Sequence, residues 1–419
     1  MKPPPLKDDC FALPPGVAWT PVDDALARLR DRLHAVTAVE TVPLANAAGR
    51  YLAEDVVAQR SNPPTPNSAV DGYGFAAASV GEGVQIMPLV AGRSAAGEPL
   101  PGAVPEGHAV RILTGAVLPE GVDTVVLQED VTVEDGRIAF RGPVKPRANT
   151  RKAGEDVAAG DVVLGQGARL RPAEIAILAA TGVHSVPVRA PLRVGVLSTG
   201  DEIRAVGDDA LPHQIWDANR PMLLSLLASW GCRAVDLGHV SDDRAALAER
   251  LNDGAGEVDV ILTSGGASAG DEDHVSGLLS ETGTMELWRI AIKPGRPLAL
   301  GLWKGVPVLG LPGNPVAAFV CTLVFGGPAL RLLAGGGWRT PVALTVPAAF
   351  SKKKKPGRRE YLRARLDNTG AAEVFGSEGS GRISGLAWAD GLVELPDGAA
   401  DIGPGDPVRY IPFASFGSS

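Results

Sequence analysis

The sequence predicts an α/β fold combined with all-β subdomains in one multidomain chain. Residues 190–330 alternate short apolar runs with helical patterns, which predicts a central, doubly wound α/β domain with a parallel sheet. Residues 80–142 carry short β-type runs separated by glycines, which predicts a β-rich insert. The same pattern returns in residues 339–414, so we expect a C-terminal β-barrel-like domain.

Changes of pattern divide the chain into predicted subdomains. At 419 residues the chain exceeds the size of one typical domain. Residues 1–60 and 143–180 are predicted to form an N-terminal subdomain, into which residues 61–142 are inserted. The α/β domain is expected to cover residues 181–335, and the last β-domain residues 339–419.

Helix starts and apolar spacing locate the main elements. The first helix is expected from residue 21, with Thr20 as its N-cap and with Ala25, Leu29 and Leu33 on one apolar face. The other predicted helices are residues 172–180, 221–230, 243–252 and 315–325. The predicted strands of the α/β region are residues 192–197, 233–237, 258–262 and 306–309, and residues 298–302 are expected to be strand-like.

The strand predicted at residues 258–262 is followed by Thr263, Ser264, Gly265 and Gly266. Glycines at the carboxyl end of a strand let backbone amides come close to a phosphate, and hydroxyl groups add short hydrogen-bond donors. The same residues are also compatible with an ordinary turn between a strand and a helix. Both interpretations stay open for this stretch taken alone.

Three other clusters of glycine with hydroxyl or charged residues fall at predicted strand ends of the same domain. Ligands of parallel sheets bind beyond the carboxyl ends of the strands, so the recurrence favours a binding site. We expect Ser264, Ser268 and the helix start at Asn314 to contact phosphate, and Lys293 and Arg296 to add positive charge. The four clusters are residues 197–202, 263–273, 291–297 and 311–315.

Acidic residues near these clusters are candidates for binding Mg²⁺, which prefers oxygen ligands and neutralises charge at phosphate oxygens. The candidates are Glu202, Asp242 and Asp273. Each acid has an alternative role as a helix N-cap or in a surface ion pair, and Asp242 and Asp243 could simply start the following helix. His274 lies next to the acids, where a structural role is the alternative to acid-base chemistry.

Composition argues against several other classes of protein. The formal net charge is −8, so we expect no nucleic acid partner. No apolar run reaches 18 residues and no signal-peptide pattern is seen, so we expect no membrane span and a cytoplasmic protein. The three cysteines lie far apart, which favours a reducing compartment. The four-lysine run at residues 352–355 is expected to be a solvated loop.

Eight short motifs occur in a characteristic order. They are Ser-Ala-Val-Asp-Gly-Tyr from Ser68, Leu-Thr-Gly-Ala from Leu113, Gly-Glu-Asp from Gly154, Ser-Thr-Gly-Asp-Glu from Ser198, Thr-Ser-Gly-Gly-Ala-Ser from Thr263, Lys-Pro-Gly from Lys293, Leu-Pro-Gly-Asn-Pro from Leu311 and Gly-Arg-Arg-Glu from Gly357. Together they resemble the molybdopterin molybdenumtransferase family, which is similar to the C-terminal domain of gephyrin. The resemblance spans residues 20–412, nearly the whole chain.

This resemblance implies a function and an assembly. Members of the family insert molybdate into adenylylated molybdopterin with the assistance of Mg²⁺, release AMP and form molybdenum cofactor. They are elongated homodimers whose active site is shared between subunits, so we expect a homodimer in which the N-terminal subdomain serves dimerisation and linkage. Molybdopterin adenylyltransferase and apo-molybdoenzymes are the candidate partners. The choice between molybdate and tungstate stays open.

The resemblance also implies roles for the residues that match its motifs. The implied catalytic residues are Asp71, Glu202, Asp242, Asp273 and Lys293, and the implied metal ligands among them are Glu202, Asp242 and Asp273. The implied substrate-binding residues are Thr114, Gly115, Glu155, Asp156, Thr199, Gly200, Asp201, Ser264, Gly265, Gly266, Ser268, Arg296, Pro312, Gly313 and Asn314. Asp71, Thr114, Glu155 and Asp156 would come from the other subunit of the dimer.

Departures from the family pattern leave these acids in place. Val70 and Gly74 replace the usual methionine and alanine near Asp71, Arg296 replaces a lysine, and Ala218 replaces a serine or threonine. We therefore expect activity to be retained.

Two alternative functions are kept beside this one. The preceding enzyme, molybdopterin adenylyltransferase, is similar to the α/β domain alone and would not need residues 20–180 or 339–414. A non-catalytic scaffold, as in gephyrin's related domain, would tolerate the loss of Asp71 or Asp273.

Overall fold

A computed structural model describes residues 19–266, 274–281, 286–295 and 297–417. The chain divides into two compact units, which we call the large unit and the small unit. The large unit comprises Met1–Glu40, Gly49–Ala53 and Val188–Ser419, and the small unit comprises Thr41–Ala48 and Glu54–Pro187. The finer division into four subdomains stays a prediction.

The large unit contains a six-stranded central sheet. Four of its strands run parallel, and in spatial order they are Arg233–Val240, Arg193–Thr199, Val260–Ser264 and Val306–Leu311. The remaining strands are antiparallel to their neighbours, and they are Pro297–Trp303 and Glu286–Arg289. The predicted parallel sheet is thus correct for four strands and wrong at one edge, where a hairpin joins Pro297–Trp303 to Val306–Leu311.

Both faces of this sheet are covered by helices. Every residue of Val260–Ser264 is buried, and Val260 and Leu262 pack into one core whereas Ile261 packs into the other. This alternation follows from the two-residue period of a strand. The first core includes residues of the helices Val22–Arg32, Asn219–Ser229, Pro315–Cys321 and Gly327–Leu333, and the second includes residues of Arg244–Glu257 and His274–Glu281.

Two helix starts differ in how far the sequence predicted them. The helix Val22–Arg32 follows Pro21, which makes no side-chain cap, so the prediction of Thr20 as N-cap was wrong. Asp243 caps Arg244–Glu257, because its carboxylate accepts a hydrogen bond of 2.7 Å from the amide of Ala246. Asp243 therefore starts this helix, which was the structural role considered for it in the sequence.

A long apolar segment lies in the first core. Pro315–Cys321 and Gly327–Leu333 are joined by the π-helical stretch Thr322–Gly326. In the described part of the chain, Pro315–Leu333 is the one helical segment with the length and composition to cross a membrane, but 83% of its most apolar window is buried inside the protein. Such burial is typical of a core helix.

The C-terminal part of the large unit forms a second six-stranded sheet. Five strands follow one another in the order Ile292–Lys293, Arg359–Leu366, Gly391–Leu395, Pro407–Pro412 and Leu344–Pro347, and Ala372–Val374 also pairs with Arg359–Leu366. The two end strands do not pair among the described residues, so this β-domain is an open sheet in its hydrogen bonding. Its other elements are the pair Lys352–Lys354 with Ala400–Ile402 and the helix Ser384–Trp388. A parallel pair, Ile203–Arg204 with Ile215–Trp216, belongs to the α/β part of the unit.

The four-lysine run lies mainly in a strand, so the prediction of a solvated loop was wrong. Lys354 is only 5% exposed, and its ammonium group donates to the carbonyl oxygens of Lys355 and Gly398 at 3.0 and 2.9 Å. Burial lowers the pKa of Lys354. Carbonyl groups replace water around this lysine, while Lys353 on the opposite face of the strand stays exposed.

The small unit is built on the predicted β-rich insert. Its sheet has the order Thr124–Leu127, Gly72–Phe75, Ala109–Ile112, Gly83–Ser94, Arg137–Gly142 and Thr132–Glu134. The rings of Phe75 and Phe140 stack at 5.0 Å inside its core. Short pairs join Asn67–Ser68 to Thr150–Arg151 and Val56–Val57 to Val162–Leu164, and the helix Pro172–Ala180 lies where it was predicted. The strands Val39–Pro43 and Ser185–Arg189 lie where the two units meet along the chain.

Candidate active site

Three parallel strands of the central sheet end side by side and bring predicted site residues together. Leu197 and Ser198 pair in register with Thr263 and Ser264, and Ser264 pairs with Leu311. The residues that follow these strands therefore share one edge of the sheet, which we call the strand-end edge. It collects Thr199, Gly200, Asp201, Glu202, Ser264, Gly265, Gly266, Pro312, Gly313 and Asn314.

Gly265 makes a tight turn at this edge. Its φ is +97°, and a Cβ atom built on it would lie 2.7 Å from the carbonyl oxygen of Thr199 and 2.8 Å from Thr199 Oγ1. A backbone oxygen at that distance cannot be moved aside cheaply, so only glycine fits. Gly265 thus lets two neighbouring strand ends close on each other, a structural reason for the glycine that is additional to any ligand.

Asn219 ties the strand-end edge together, although it was absent from the predicted site residues. Its Nδ2 donates to Ser264 Oγ at 2.8 Å and to the carbonyl oxygen of Gly313 at 2.7 Å. The side chain is positioned by the start of the helix Asn219–Ser229, next to Asp217, which forms an ion pair of 2.9 Å with Arg220. The Asp-Ala-Asn motif at residues 217–219 is the sequence signal that could have identified Asn219 as a site residue.

Buried oxygen atoms without partners are concentrated near the same edge. Thr199 Oγ1, Ser198 Oγ, Thr263 Oγ1 and Asn219 Oδ1 have no hydrogen-bond partner among the described residues. A buried polar group that lacks a partner costs free energy, and native proteins contain few of them. Their concentration here indicates a site that water or a ligand completes.

Two aspartates at this edge hold each other through backbone amides. The Asp201 amide donates to Asp242 Oδ2 at 3.2 Å, and the Asp242 amide donates to Asp201 Oδ1 at 3.0 Å. The carboxylate of Glu202 lies against Gly200, with Oε2 only 2.5 Å from a Cβ atom built there. The structure therefore brings three carboxylates to the edge, and each aspartate uses one oxygen in the exchange.

The carboxylates fit a Mg²⁺ ion that is bound together with a phosphate. Among the residues that the structure describes, no group of three side chains could hold a metal by protein ligands alone. Mg²⁺ usually takes one or two carboxylates and completes its shell with phosphate oxygens and water. Glu202 and Asp242 suit that role, and the third predicted ligand, Asp273, lies outside the described residues, as do Ser268 and Arg296.

Lys293 belongs to a closed cluster of two lysines and two glutamates. The strand Ile292–Lys293 pairs with Arg359–Leu366, so Lys293 lies opposite Glu360 in the second sheet. Its Nζ is 2.5 Å from Glu378 and 3.5 Å from Glu360. Lys352 contacts the same two acids, at 3.1 Å from Glu360. The predicted anion-binding lysine is therefore already ion-paired, and neither Glu378 nor Lys352 was predicted to be near it.

The cluster shifts the pKa values of two of its members, Lys352 and Glu378, in opposite directions. Burial acts to lower the pKa of Lys352, but its hydrogen bonds to Glu378 and Glu360 outweigh burial, and the pKa is raised. Burial acts to raise the pKa of Glu378, but its bonds to Lys293 and Lys352 lower it. Lys352 and Glu378 are therefore both charged near neutral pH.

We expect Glu378→Gln to lower the free energy of unfolding of this region by about 1 kcal/mol near pH 7, because half-exposed ion pairs are screened by water. The lowered pKa of Glu378 means that its contribution is present above its ordinary value of 4.5 and is lost as the pH falls below it. The raised pKa of Lys352 means that its contribution is full below 10.5 and is lost at higher pH.

Thermal unfolding of the variant and the wild type from pH 3 to pH 11 tests this expectation. The difference should be widest at neutral pH and should shrink at both ends. Glu373→Gln is a matched control, because Glu373 pairs with Arg365 at 3.0 Å on the same sheet but outside the cluster. A pH-independent difference for Glu378→Gln would contradict the cluster.

Asp71 and Thr114 meet in the small unit because they flank neighbouring strands. Gly72 pairs in register with Ile112, so Asp71 before one strand lies close to Thr114 after the other. Asp71 Oδ1 accepts hydrogen bonds from the Thr114 amide at 2.7 Å and from Thr114 Oγ1 at 2.6 Å. The hydroxyl bond and then the amide bond lower the pKa of Asp71, so the carboxylate stays ionised at neutral pH.

Glu155 and Asp156 lie in a separate turn of the small unit. Glu155 Oε2 accepts from the Lys152 amide at 2.9 Å, and Asp156 Oδ2 accepts from Asn62 Nδ2 at 3.0 Å. Both side chains are exposed. Within the described residues no hydrogen bond joins this turn to Asp71 or Thr114.

Family models match three consecutive parts of the chain. Residues 20–182 match the MoeA N-terminal region (domain I and II), residues 195–332 a probable molybdopterin binding domain, and residues 345–413 the MoeA C-terminal region (domain IV). The middle match contains the strand-end edge. Fold and site thus define a multidomain protein with a molybdopterin-binding type of α/β domain between two further regions.

Whole relatives match as well. The chain is 37% identical to the molybdopterin molybdenumtransferase of Haemophilus influenzae, over 94% of this chain and 98% of the relative. It is 34% identical to molybdopterin molybdenumtransferase 2 of Mycobacterium tuberculosis, over 88% of this chain and 94% of the relative. A crystal structure of a molybdopterin biosynthesis MoeA protein from Pyrococcus horikoshii superposes with a TM-score of 0.79 at 29% identity. The match covers 94% of this chain and 100% of that one. The chain belongs to the molybdopterin molybdenumtransferase family, which confirms the resemblance in its motifs.

Proposed function

We propose that this chain is the molybdopterin molybdenumtransferase of molybdenum cofactor biosynthesis, which inserts molybdate into adenylylated molybdopterin and releases AMP. Family membership supports the enzyme class and the pathway. The observation that carries the assignment to the strand-end edge is that the buried hydroxyl groups of Ser198, Thr199 and Thr263 have no hydrogen-bond partner among the described residues. An edge of this kind suits an anionic ligand with many acceptor oxygens.

Asn219 prepares Ser264 to donate to such a ligand. Because Ser264 Oγ accepts a hydrogen bond from Asn219 Nδ2, the hydroxyl proton of Ser264 is available to another acceptor. Thr199 Oγ1 offers a second hydroxyl beside Gly265 and Gly266. These groups would bind and orient phosphate oxygens of the adenylylated substrate.

The acidic residues and Lys293 would have different roles in neutralising the negative charge of the substrate. Glu202 and Asp242, with Asp273 as the third predicted ligand, would hold Mg²⁺, which neutralises charge on phosphate oxygens when it is bound. Lys293 is held in place by Glu378, so an incoming anion would compete with that carboxylate for the ammonium group. The lysine would thus be already oriented when the substrate arrives.

The proposed site is shared between two subunits, with Asp71 supplied by one and Lys293 by the other. If Asp71→Ala and Lys293→Ala are each inactive, mixing the two variants should restore about a quarter of the activity. Half of the dimers are then mixed, and each mixed dimer has one intact site out of two. Activity of the mixture after subunit exchange is the measurement. A mixture that stays inactive although mass spectrometry finds mixed dimers would contradict the shared site.

Purified protein incubated with adenylylated molybdopterin, molybdate and Mg²⁺ tests the reaction itself. We expect AMP release that depends on molybdate, and reconstitution of an apo-molybdoenzyme by the product. Transfer of AMP from ATP to molybdopterin would instead identify the preceding adenylyltransferase. Absence of both reactions, with cofactor synthesis in cells unaffected by Asp71→Ala, would favour the scaffold.

A further inference from the structure

A pocket opens in the large unit at the end of the central sheet opposite the strand-end edge. The empty space among its lining residues is about 700 Å³, a figure that includes open solvent. Leu192, which precedes the strand Arg193–Thr199, and Trp230, which follows the helix Asn219–Ser229, both line it. The pocket is open to solvent, so a small molecule can reach the residues that line it.

This pocket is separate from the strand-end edge. Leu192 and Thr199 lie at opposite ends of one strand, which is about 23 Å long at about 3.3 Å per residue. Trp230 and Asn219 lie at opposite ends of one helix, which is about 16 Å long at about 1.5 Å per residue. None of the residues predicted for molybdenum transfer lines the pocket. Its use therefore does not depend on the proposed function.

The lining of the pocket is strongly cationic in an acidic protein. Arg50, Arg189, Arg331 and Arg339 line it, and none of the described aspartates or glutamates does, although the formal net charge of the chain is −8. Arg50 is ion-paired with Glu40, whereas Arg339 is exposed and makes no hydrogen bond or ion pair with the described residues. Guanidinium groups pair with carboxylates and phosphates through two parallel hydrogen bonds. The charge of this pocket thus suits an anion.

Contacts within the wall hold two of these arginines in place. The guanidinium of Arg331 stacks over the ring of Tyr51 at 5.1 Å, and its Nη1 donates to the Tyr51 hydroxyl at 3.3 Å. Arg50 Nε donates to the carbonyl oxygen of Arg189 at 2.8 Å. A pre-arranged cation loses little side-chain entropy when it binds an anion.

The remaining wall is apolar and includes a broad aromatic ring. Leu192, Leu330 and Phe416 are buried side chains of the first core that reach the pocket, and Trp230 stands beside them. An anionic group alone would leave this surface in contact with water. A ligand that joins an anionic group to a flat apolar body would cover both parts of the pocket.

We propose that this pocket is a binding site for a small organic anion, in which the arginines bind a phosphate or carboxylate and the apolar wall packs against a ring. Phenyl phosphate is the probe, and inorganic phosphate and phenol represent its two halves. Cys232 lines the pocket, is half-buried and forms no disulfide with the described residues, so its rate of alkylation by iodoacetamide reports on this site. Peptide mass spectrometry of the full-length protein measures that rate.

We expect phenyl phosphate to protect Cys232 saturably, and each half of the probe to protect it less at the same concentration. Arg339→Gln should raise the half-protecting concentration about tenfold, since a charge-assisted hydrogen bond is lost, and Arg339→Lys should restore part of the loss. Arg137→Gln, the same change on an exposed residue of the small unit, is the control.

Three results would overturn the proposal. The first is the absence of saturable protection by phenyl phosphate. The second is equal protection by inorganic phosphate, which would exclude a role for the apolar wall. The third is an equal effect of Arg137→Gln and Arg339→Gln, which would show that only the total charge of the protein matters.

Discussion

Gly265→Ala should reduce the rate of molybdenum transfer by at least about a hundredfold, because reacting groups displaced by about 1 Å lose activity on that scale. The new Cβ atom would lie 2.7 Å from the carbonyl oxygen of Thr199, so one of the two strand ends must shift. The positive φ of Gly265 adds strain, and we expect a total loss of stability of about 3 kcal/mol. Molybdate-dependent AMP release and thermal unfolding measure the two effects.

Gly207→Ala separates backbone strain from the steric clash. Gly207 has a similar φ of +99°, but nothing lies within 4 Å of a Cβ atom built on it. This control should lose about 1 kcal/mol of stability from the left-handed backbone and keep its activity. If Gly265→Ala behaves like Gly207→Ala in both measurements, the close approach of Gly265 to Thr199 has no role in the site.

Asp71→Asn should also reduce the transfer rate by about a hundredfold or more, the scale on which removal of a group that stabilises developing charge acts. The asparagine oxygen can still accept the hydrogen bond from the Thr114 amide, so the loop should keep its shape while the negative charge is lost. Thr114→Val removes only the hydroxyl bond of 2.6 Å and should cost about tenfold or less. Steady-state AMP release gives both values.

A matched variant checks that the effect belongs to Asp71. Asp123, also in the small unit, accepts a hydrogen bond of 2.8 Å from the Ala77 amide, so Asp123→Asn makes the same chemical change elsewhere. Its activity should equal that of the wild type. Should Asp71→Asn retain most of its activity, the ionised carboxylate is not required, and the role implied for Asp71 by the family motif is wrong for this chain.

Local patterns were sufficient to predict elements whose residues are close together in the chain. Proline in the first turn located the helix Pro172–Ala180, and the buried run near Val260–Ser264 located a central strand to within two residues. Residues 298–302 were expected to be strand-like, but the pattern did not predict that the strand Pro297–Trp303 is antiparallel, because strand direction depends on connections and not on composition. Nor did charge counting predict that Lys354 is buried, because its partners are carbonyl groups in a neighbouring loop.

The candidate site also combines residues that a local signal predicts with residues that only long-range contacts bring together. Gly265 and Ser264 were predicted as site residues from sequence because glycine and hydroxyl residues directly after a strand form a local signal. Asn219 contacts residues 45 and 94 positions away, and Glu378 contacts Lys293 across 85 positions. Partners so distant become neighbours only when the strand order of two sheets is set, and no local spacing records that order.

The sequence alone therefore determined the class of fold and the family, and it predicted candidate binding residues at the strand ends, since each of these depends on short, contiguous motifs. Only the tertiary structure decided which groups hold those residues. It gave Lys293 two glutamate partners, placed Asn219 between Ser264 and Gly313, and gathered four arginines from distant segments around one pocket. The physical reason is that packing, which depends on every segment at once, brings these groups within hydrogen-bond distance.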